Sequence, residues 1–262
     1  MRRPAAEAHA ADSQPEIRSR SRDRSVLSLA VAAALLAPLS LARAGAAVDP
    51  SGHWDGSIHA PSRDIEISID VALDTAGKLR GTLSNPGEGI AGYPLSSATI
   101  DGSAVRLELR TGGPDTQTLA GNLAADGKSM SGDFFIGVYS VPFDLQRTGD
   151  AKFAPPPNNA AIDAAFAGKW IASLEIEGHV FPVVLELANR ADGTSAGHWA
   201  AGDGSATSVA IAQHDRELTV RSTVTNARYT GTLSADGKEI AGTFAEGPLQ
   251  QPMTFRHPGG AR

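Results

Sequence analysis

Apolar and polar positions alternate through most of the chain, and this alternation predicts β-strands. In 64–71, isoleucine and valine alternate with aspartate, glutamate and serine, so the apolar side chains share one face of a strand. Asp-Gly pairs that begin at 101, 126, 192 and 236 mark tight hairpin turns. Between such turns, the first half of the chain is predicted to form strands at 53–60, 64–73, 79–84, 94–100, 104–110, 117–124, 129–135 and 141–147.

The whole pattern occurs twice, which makes the chain an internal repeat. The sequence Gly52-His53-Trp54 recurs as Gly168-Lys169-Trp170, and 119–128 recurs as 229–238. The spacing between copies is 116 residues at the tryptophans and 110 at the later Asp-Gly turns. The second copy therefore lacks about six residues between those points, and the chain is expected to hold one fold in tandem.

We predict an all-β chain of two tandem small antiparallel meander barrels of about eight strands each. Closure into a barrel removes exposed strand edges, although a β-sandwich is an open alternative because it also requires one apolar face. The predicted modules are 45–150 and 166–262, joined by a proline-rich linker at 151–165. Asn159 is predicted to cap a short helix over 160–167.

The first 44 residues are predicted to be a signal peptide. Arginines at 18, 20, 22 and 24 precede an apolar run over 26–41, and Ala42-Arg43-Ala44 resembles a cleavage site. A membrane anchor is the alternative, but a spanning helix needs about 20 apolar residues and Pro38 interrupts this run. We therefore expect a bacterial periplasmic or secreted protein, with no stable membrane span after cleavage.

Charge and cysteine content narrow the range of partners. Without the seven arginines and four acidic residues of 1–44, the chain keeps 16 basic and 25 acidic side chains, a net charge of −9. An acidic surface repels nucleic acid phosphates, so we expect no nucleic acid partner. The chain has no cysteine, which removes disulfides, thiol nucleophiles and thiolate metal sites.

A tryptophan on the first strand and an arginine at the end of the last strand occur in both copies. Trp54 would pair with Arg147, and Trp170 with Arg256. This pattern resembles that of lipocalins and the wider calycin group, in which the tryptophan closes one end of the barrel and the arginine lies across its ring. The resemblance implies that these four residues form the floors of two barrels, and an arginine over a tryptophan ring is a favourable cation–π contact.

A second and closer resemblance covers the whole chain after residue 44. The segments 54–58, 77–83 and 85–95 and the final Asp-Gly-Lys hairpin are similar to a secreted bacterial β-domain that often precedes a serine hydrolase domain of the α/β type. This resemblance implies an accessory or binding role.

Catalytic and metal-binding patterns are weak, and we predict no catalytic residue, no metal site and no cofactor. A nucleophile elbow needs Gly-x-Ser-x-Gly on a strand-to-helix turn. The string at 193–197 follows the hairpin turn at Asp192-Gly193 instead, and Ser103 and Ser205 lie in turns without the second glycine. His53 and His59 share a strand face with Asp55, but about 20 Å separates them along a strand. Glu175 and Glu177 are expected on a charged exterior.

The loop Asn85–Tyr93 is the longest Gly/Pro-rich interruption within a module, and the second copy shortens it to about 201–205. Loops at a barrel mouth often carry binding specificity, so Asn85, Glu88, Tyr93 and the inward-pointing Trp199 are the candidate ligand-binding residues. We predict a non-catalytic extracytoplasmic binding or accessory protein for a small apolar ligand or an envelope protein. The alternatives are a hydrolase or isomerase acting on an apolar substrate, and a purely structural spacer.

Overall fold

The computed structural model describes residues 48–113, 115–176 and 178–258, and the all-β prediction is confirmed within them. These residues form eighteen strands, paired in antiparallel fashion, and two short 3-10 helices. The signal peptide predicted over 1–44 lies outside the described residues, as does Glu177. Among the described residues, no helix is long and apolar enough to cross a membrane.

The first sheet contains nine strands in the spatial order β4-β3-β2-β1-β9-β8-β7-β6-β5. It is a curled sheet whose two edge strands, β4 and β5, do not pair with each other. Its strands are β1 Gly52–Ala60, β2 Arg63–Leu73, β3 Leu79–Asn85, β4 Ile90–Pro94, β5 Ser97–Asp101, β6 Ala104–Leu109, β7 Gln117–Leu123, β8 Ser129–Ile136 and β9 Tyr139–Gly149.

The second sheet closes into an eight-stranded barrel, and one additional short strand, β10, pairs with β13 next to the strand pair that closes it. Closure comes from pairing between β13 and β14, where Trp199 lies opposite Thr207. Its strands are β10 Asn159–Ala160, β11 Gly168–Ile176, β12 His179–Asn189, β13 Thr194–Ala201, β14 Thr207–His214, β15 Glu217–Ser222, β16 Arg228–Leu233, β17 Glu239–Glu246 and β18 Leu249–Arg256.

The six additional residues of the first copy explain why its sheet stays open. The predicted loop Asn85–Tyr93 is a 3-10 turn at Pro86–Glu88 followed by β4, which pairs with β3 and occupies its free edge. In the second copy a short turn leads from β13 directly into β14, so the equivalent edge is free to pair. The prediction of a long loop was therefore wrong, and the insertion contains a strand that replaces barrel closure.

The apolar faces predicted from the alternation form two cores. Trp54, Ile69 and Leu107 are fully buried in the first, and Trp170 and Leu185 are fully buried in the second. Val224, from the β15–β16 loop of the second module, packs into the core of the first. The domain boundaries at 150 and 166 stay a prediction, since the two sheets share this contact.

The segment between the sheets differs from its predicted helix over 160–167. Asn159 lies in β10, where its side-chain amide donates to the carbonyl of Val209 at 3.0 Å and accepts from the amide of Ile211 at 2.8 Å. The only helical turn here is a three-residue 3-10 turn at Ala164–Phe166, capped by Asp163. The side chain of Asn159 thus satisfies backbone groups of β14, and this tertiary contact takes precedence over local helix capping.

Candidate functional site

The two tryptophans on the first strand of each module occupy matching positions. Each is fully buried, and each indole N–H donates to the carbonyl four residues earlier, Trp54 to Pro50 at 2.9 Å and Trp170 to Phe166 at 2.8 Å. The guanidinium carbon of Arg147 lies 5.2 Å from the Trp54 ring centre, which is within cation–π range. Arg147 also donates hydrogen bonds to the carbonyls of Asp49 and Ser51.

The second tryptophan has a different neighbour from the one predicted. Arg256 pairs with Glu239 at 2.7 Å, and the ring of His257 lies 3.8 Å from that of Trp170. Arg147 is opposite Trp54 across the strand pair, whereas Arg256 is opposite Ile171. A one-residue difference in register moves a side chain to the other face of a sheet, so the pairing of Arg256 with Trp170 was wrong. The 110-residue offset, continued to the last strand, aligns His257 with Arg147.

Aromatic side chains fill the interior of the second barrel. The ring centres of Trp199 and Phe244 are 5.6 Å apart, and Tyr229 meets Phe255 edge-on at 5.0 Å. The Tyr229 hydroxyl donates to the carbonyl of Ile240 at 2.7 Å, and burial raises the pKa of this phenol well above its ordinary value. The interior therefore has a protonated, hydrogen-bonded tyrosine and no room for an extended ligand.

A pocket of about 110 Å³ remains at the mouth of this barrel, where the first sheet covers it. The barrel contributes the apolar residues Leu174, Trp199 and Phe244, and the first module contributes Tyr93 and Thr111. The pocket brings together two of the four predicted ligand-binding residues, Tyr93 and Trp199. The rest of its lining is small or polar: Ala200, Ala201, Ser205, Thr207, Ser222, Val224, Thr225, Ala227 and Glu246.

The Arg110 carbonyl joins Tyr93, on one side of the pocket, to the second module. Its hydroxyl donates to the carbonyl of Arg110 at 2.9 Å, and the same carbonyl accepts from the backbone amide of Ser205 at 2.8 Å. The Arg110 guanidinium in turn pairs with Asp203 at 3.2 Å. Burial, with a smaller contribution from the Asp203 charge, raises the pKa of Tyr93, so the phenol stays neutral at physiological pH.

Trp199 differs from the other two tryptophans in its hydrogen bonding. Trp54 and Trp170 donate their indole N–H groups to backbone carbonyls, whereas Trp199 lines the pocket and its N–H has no acceptor among the described residues. The Trp199 Nε1 atom is not among the fully buried side-chain atoms that lack a hydrogen-bond partner. It is therefore accessible and can donate to solvent or to a molecule in the pocket.

Asn85 ends β3, Glu88 lies in the 3-10 turn before β4, and neither residue lines the pocket. The Asn85 side chain accepts from the Glu88 amide at 3.2 Å and caps this turn. The Glu88 carboxylate pairs with Arg63 at 3.3 Å, and both side chains are exposed. Both of these contacts lie within the first module.

Sequence reasoning missed a row of histidine–aspartate pairs on the outer face of β1. His53 lies between Asp70, at 2.8 Å, and Asp55, at 3.3 Å. His59 lies between Asp144, at 2.5 Å, and Asp64, at 2.9 Å. The strand register places His53 opposite Asp70 and His59 opposite Asp64, and pairing β1 with β2 about the turn at 61–62 would have revealed both. Among the described residues, no group of three metal-ligating side chains could hold a metal ion.

Comparison with known proteins gives only distant neighbours among solved structures. No protein-family model matches the chain, and no curated protein matches it. A candidate outer membrane protein from Bacteroides fragilis is 12% identical, with 78% of this chain and 95% of that one covered and a TM-score of 0.26. A protein of unknown function from the DUF3598 family of Nostoc punctiforme is 11% identical, with 78% and 94% covered and a TM-score of 0.23. The identities and TM-scores are low, so neither neighbour's description is transferred to this chain.

Proposed function

We propose that this chain is a non-catalytic binding protein for a small, largely apolar molecule that carries a hydrogen-bond acceptor. The observation that carries the proposal is the pocket where the first module covers the mouth of the second barrel. Pockets formed where two units meet, with apolar walls and a few polar groups, are the usual form of small-molecule sites. Here Leu174 and Phe244 of the barrel supply apolar lining, and Tyr93 and Thr111 come from the first module.

The volume of the pocket limits the size of the ligand. A cavity of about 150 Å³ in another protein holds benzene. By the same scale, a pocket of about 110 Å³ fits a molecule of about five or six heavy atoms. A long acyl chain would need the barrel interior, which Tyr229, Phe244 and Phe255 fill. The ligand is therefore a compact molecule or a compact group of a larger one.

The polar groups of the pocket define the chemistry of recognition. The Trp199 N–H is a donor without an acceptor among the described residues, and the nearby threonine and serine hydroxyls can donate or accept. A carbonyl or hydroxyl oxygen on the ligand would satisfy the indole donor. A ketone, alcohol or amide of this size fits the pocket better than an ion.

The proposal is tested with cyclopentanone, a compact apolar molecule with one acceptor, by saturation-transfer NMR. Trp199→Phe keeps an aromatic ring and removes the donor, so we expect affinity to fall about fivefold. Ala227→Val narrows the pocket and is expected to abolish binding, whereas Ala98→Val, at a buried alanine of the first core, leaves binding unchanged. Equal affinity for Ala227→Val and Ala98→Val would refute the site.

The filled barrel interior favours one other candidate, a structural spacer. Native mass spectrometry of the protein purified from its source separates the two. A co-purifying small molecule supports the binding role, and a clean protein mass, together with no cyclopentanone binding, supports the spacer. N-terminal sequencing of the same sample tests the proposed periplasmic or secreted location, because cleavage of the signal peptide would leave Gly45 as the first residue.

A further inference from the structure

The turn between β8 and β9 exposes four apolar side chains, here called the apolar tip: Phe135, Ile136, Val138 and Tyr139. Val138 is 93% exposed and Tyr139 77%, while Phe135 and Ile136 are 38% and 42% exposed. No charged residue occurs in the nine residues of 134–142. A contiguous apolar patch of this kind indicates contact with an apolar partner.

The second copy contains the same hairpin without this feature. At the equivalent positions, 110 residues later, the residues are Ala245, Glu246, Pro248 and Leu249. Leu249 packs against its own core, and Glu246 places a charge where the first copy has Ile136. Both turns use a glycine at positive φ, 56° at Gly137 and 55° at Gly247. The hairpin therefore does not require exposed apolar residues to form.

The exposed area is too small for a stable protein interface. Large aromatic side chains bury about 150–250 Å² each, so the four side chains at these exposures offer roughly 300–500 Å². A specific protein interface needs about 800 Å² on each partner. A lipid surface requires neither a matched area nor a complementary shape, and a protruding hairpin turn can enter it.

The charges around the apolar tip indicate which lipid surface it would contact. Residues 129–146 contain no lysine or arginine but include Asp133 and Asp144. The Asp115 carboxylate also lies beside the turn, 3.1 Å from the position that a Cβ on Gly137 would take. Carboxylates repel anionic headgroups and tolerate zwitterionic ones, whose ammonium groups face the water.

We propose that the apolar tip inserts into the interface of a zwitterionic lipid bilayer. Val138, at the end of the turn, lies deepest, and the Tyr139 ring lies at the headgroup level, where tyrosine is favoured. Interfacial elements bury their apolar faces by about 5–10 Å, which corresponds to two or three residues of each strand at about 3.3 Å per residue. This contact is peripheral and does not involve the ligand pocket.

The test uses the full-length chain with a tryptophan at the tip, Tyr139→Trp, and vesicles of phosphatidylcholine with brominated acyl chains. The native tryptophans are buried, so quenching by bromine reports the new residue. The matched control is Pro248→Trp, at the exposed equivalent of Val138 in the second copy. Any membrane contact made by the first 44 residues is common to both variants. We expect quenching and a blue shift for Tyr139→Trp alone, and about a tenfold weaker vesicle affinity when Val138→Asp is added.

Three results would overturn the proposal. The first is that Tyr139→Trp and Pro248→Trp are quenched equally, or that neither is quenched. Another is quenching confined to vesicles of phosphatidylglycerol, because it would contradict the charge argument. The third is a monomer–dimer equilibrium in analytical ultracentrifugation that Val138→Asp abolishes, because the tip would then be an interface between copies. None of these results bears on cyclopentanone binding, so the pocket is judged separately.

Discussion

The two modules share one strand pattern but differ at three places: the strand edge after the third strand, the neighbour of the first-strand tryptophan, and the last hairpin. The first module inserts β4 at its mouth and stays open, while the second pairs β13 with β14 and closes. On the first strand of each module, Trp54 lies against Arg147 and Trp170 against His257. The hairpin before the last strand is apolar in the first module and carries Glu246 in the second. The repeated core therefore tolerates divergence at its ends, and all the candidate functional features lie there.

The largest expected effect concerns the two tryptophans, whose shared role as barrel floors we propose from their burial. Trp54→Ala and Trp170→Ala should each lower the free energy of unfolding by about 3–5 kcal/mol, because each removes a fully buried ring and its hydrogen bond. Urea unfolding followed by circular dichroism measures both. A loss below about 1 kcal/mol for either variant would contradict its assignment as a floor residue.

The next effect tests whether the modules are coupled. Val224 belongs to the second module by sequence but packs into the first core, and its carbonyl accepts from the Ala91 amide at 2.8 Å. Val224→Ala should cost about 1–2 kcal/mol of unfolding free energy. The matched control is Val180→Ala, at a valine that is 64% exposed, for which we expect almost no change. Equal effects of the two substitutions would mean that the modules are independent.

Arg147 and His257 occupy matching positions beside the two tryptophans. Replacing each by the other residue should change the free energy of unfolding unequally. Arg147→His should cost about 1 kcal/mol, because the shorter side chain loses the hydrogen bonds to the carbonyls of Asp49 and Ser51. His257→Arg should be nearly neutral, since arginine at this position reproduces the arrangement at Trp54. Thermal unfolding of the two variants in parallel measures the difference. A larger loss for His257→Arg would show that the two floors are not equivalent.

The smallest expected effect is the pH titration of His59. Its contacts with Asp144 and Asp64 have no equivalent in the second module, where Glu175 occupies the matching position. Hydrogen bonds to Asp144, and then to Asp64, raise the pKa of His59 above the ordinary value. The protonated form is favoured by folding, so its stabilisation is complete below the unfolded pKa of about 6.5 and is lost as pH rises through the folded pKa. NMR titration should show a raised pKa that falls in Asp144→Asn. An unchanged pKa in that variant would remove Asp144 as the cause.

The sequence predicted most strands of the first module to within one or two residues. Period-two alternation and Asp-Gly turns act locally, so they are readable without a structure. The prediction failed where contacts are distant in sequence. β4 depends on the free edge of β3, and Asn159 depends on the backbone of β14 at Val209 and Ile211. Neither contact has a local signal.

The candidate site was also predicted only in part from the sequence. Tyr93 and Trp199 were predicted separately, from an insertion and from strand alternation, and they line one pocket. Asn85 and Glu88 belong to the same predicted loop but lie elsewhere, because Asn85 caps the 3-10 turn and Glu88 pairs with Arg63. The pairing of Arg256 with Trp170 failed because a single residue of register decides which face a side chain takes.

By itself, the sequence determined that the chain is a repeat of antiparallel strands with one apolar face. Local alternation sets the strands and their apolar face, and turn chemistry sets the hairpins that make them antiparallel. The apolar tip can also be read from the sequence as an uncharged stretch. Only the tertiary structure decided that one sheet closes and the other does not, that Val224 joins the two cores, and that a pocket forms between them. These features arise from strand edges and loops distant in the chain, whose pairing depends on the whole fold.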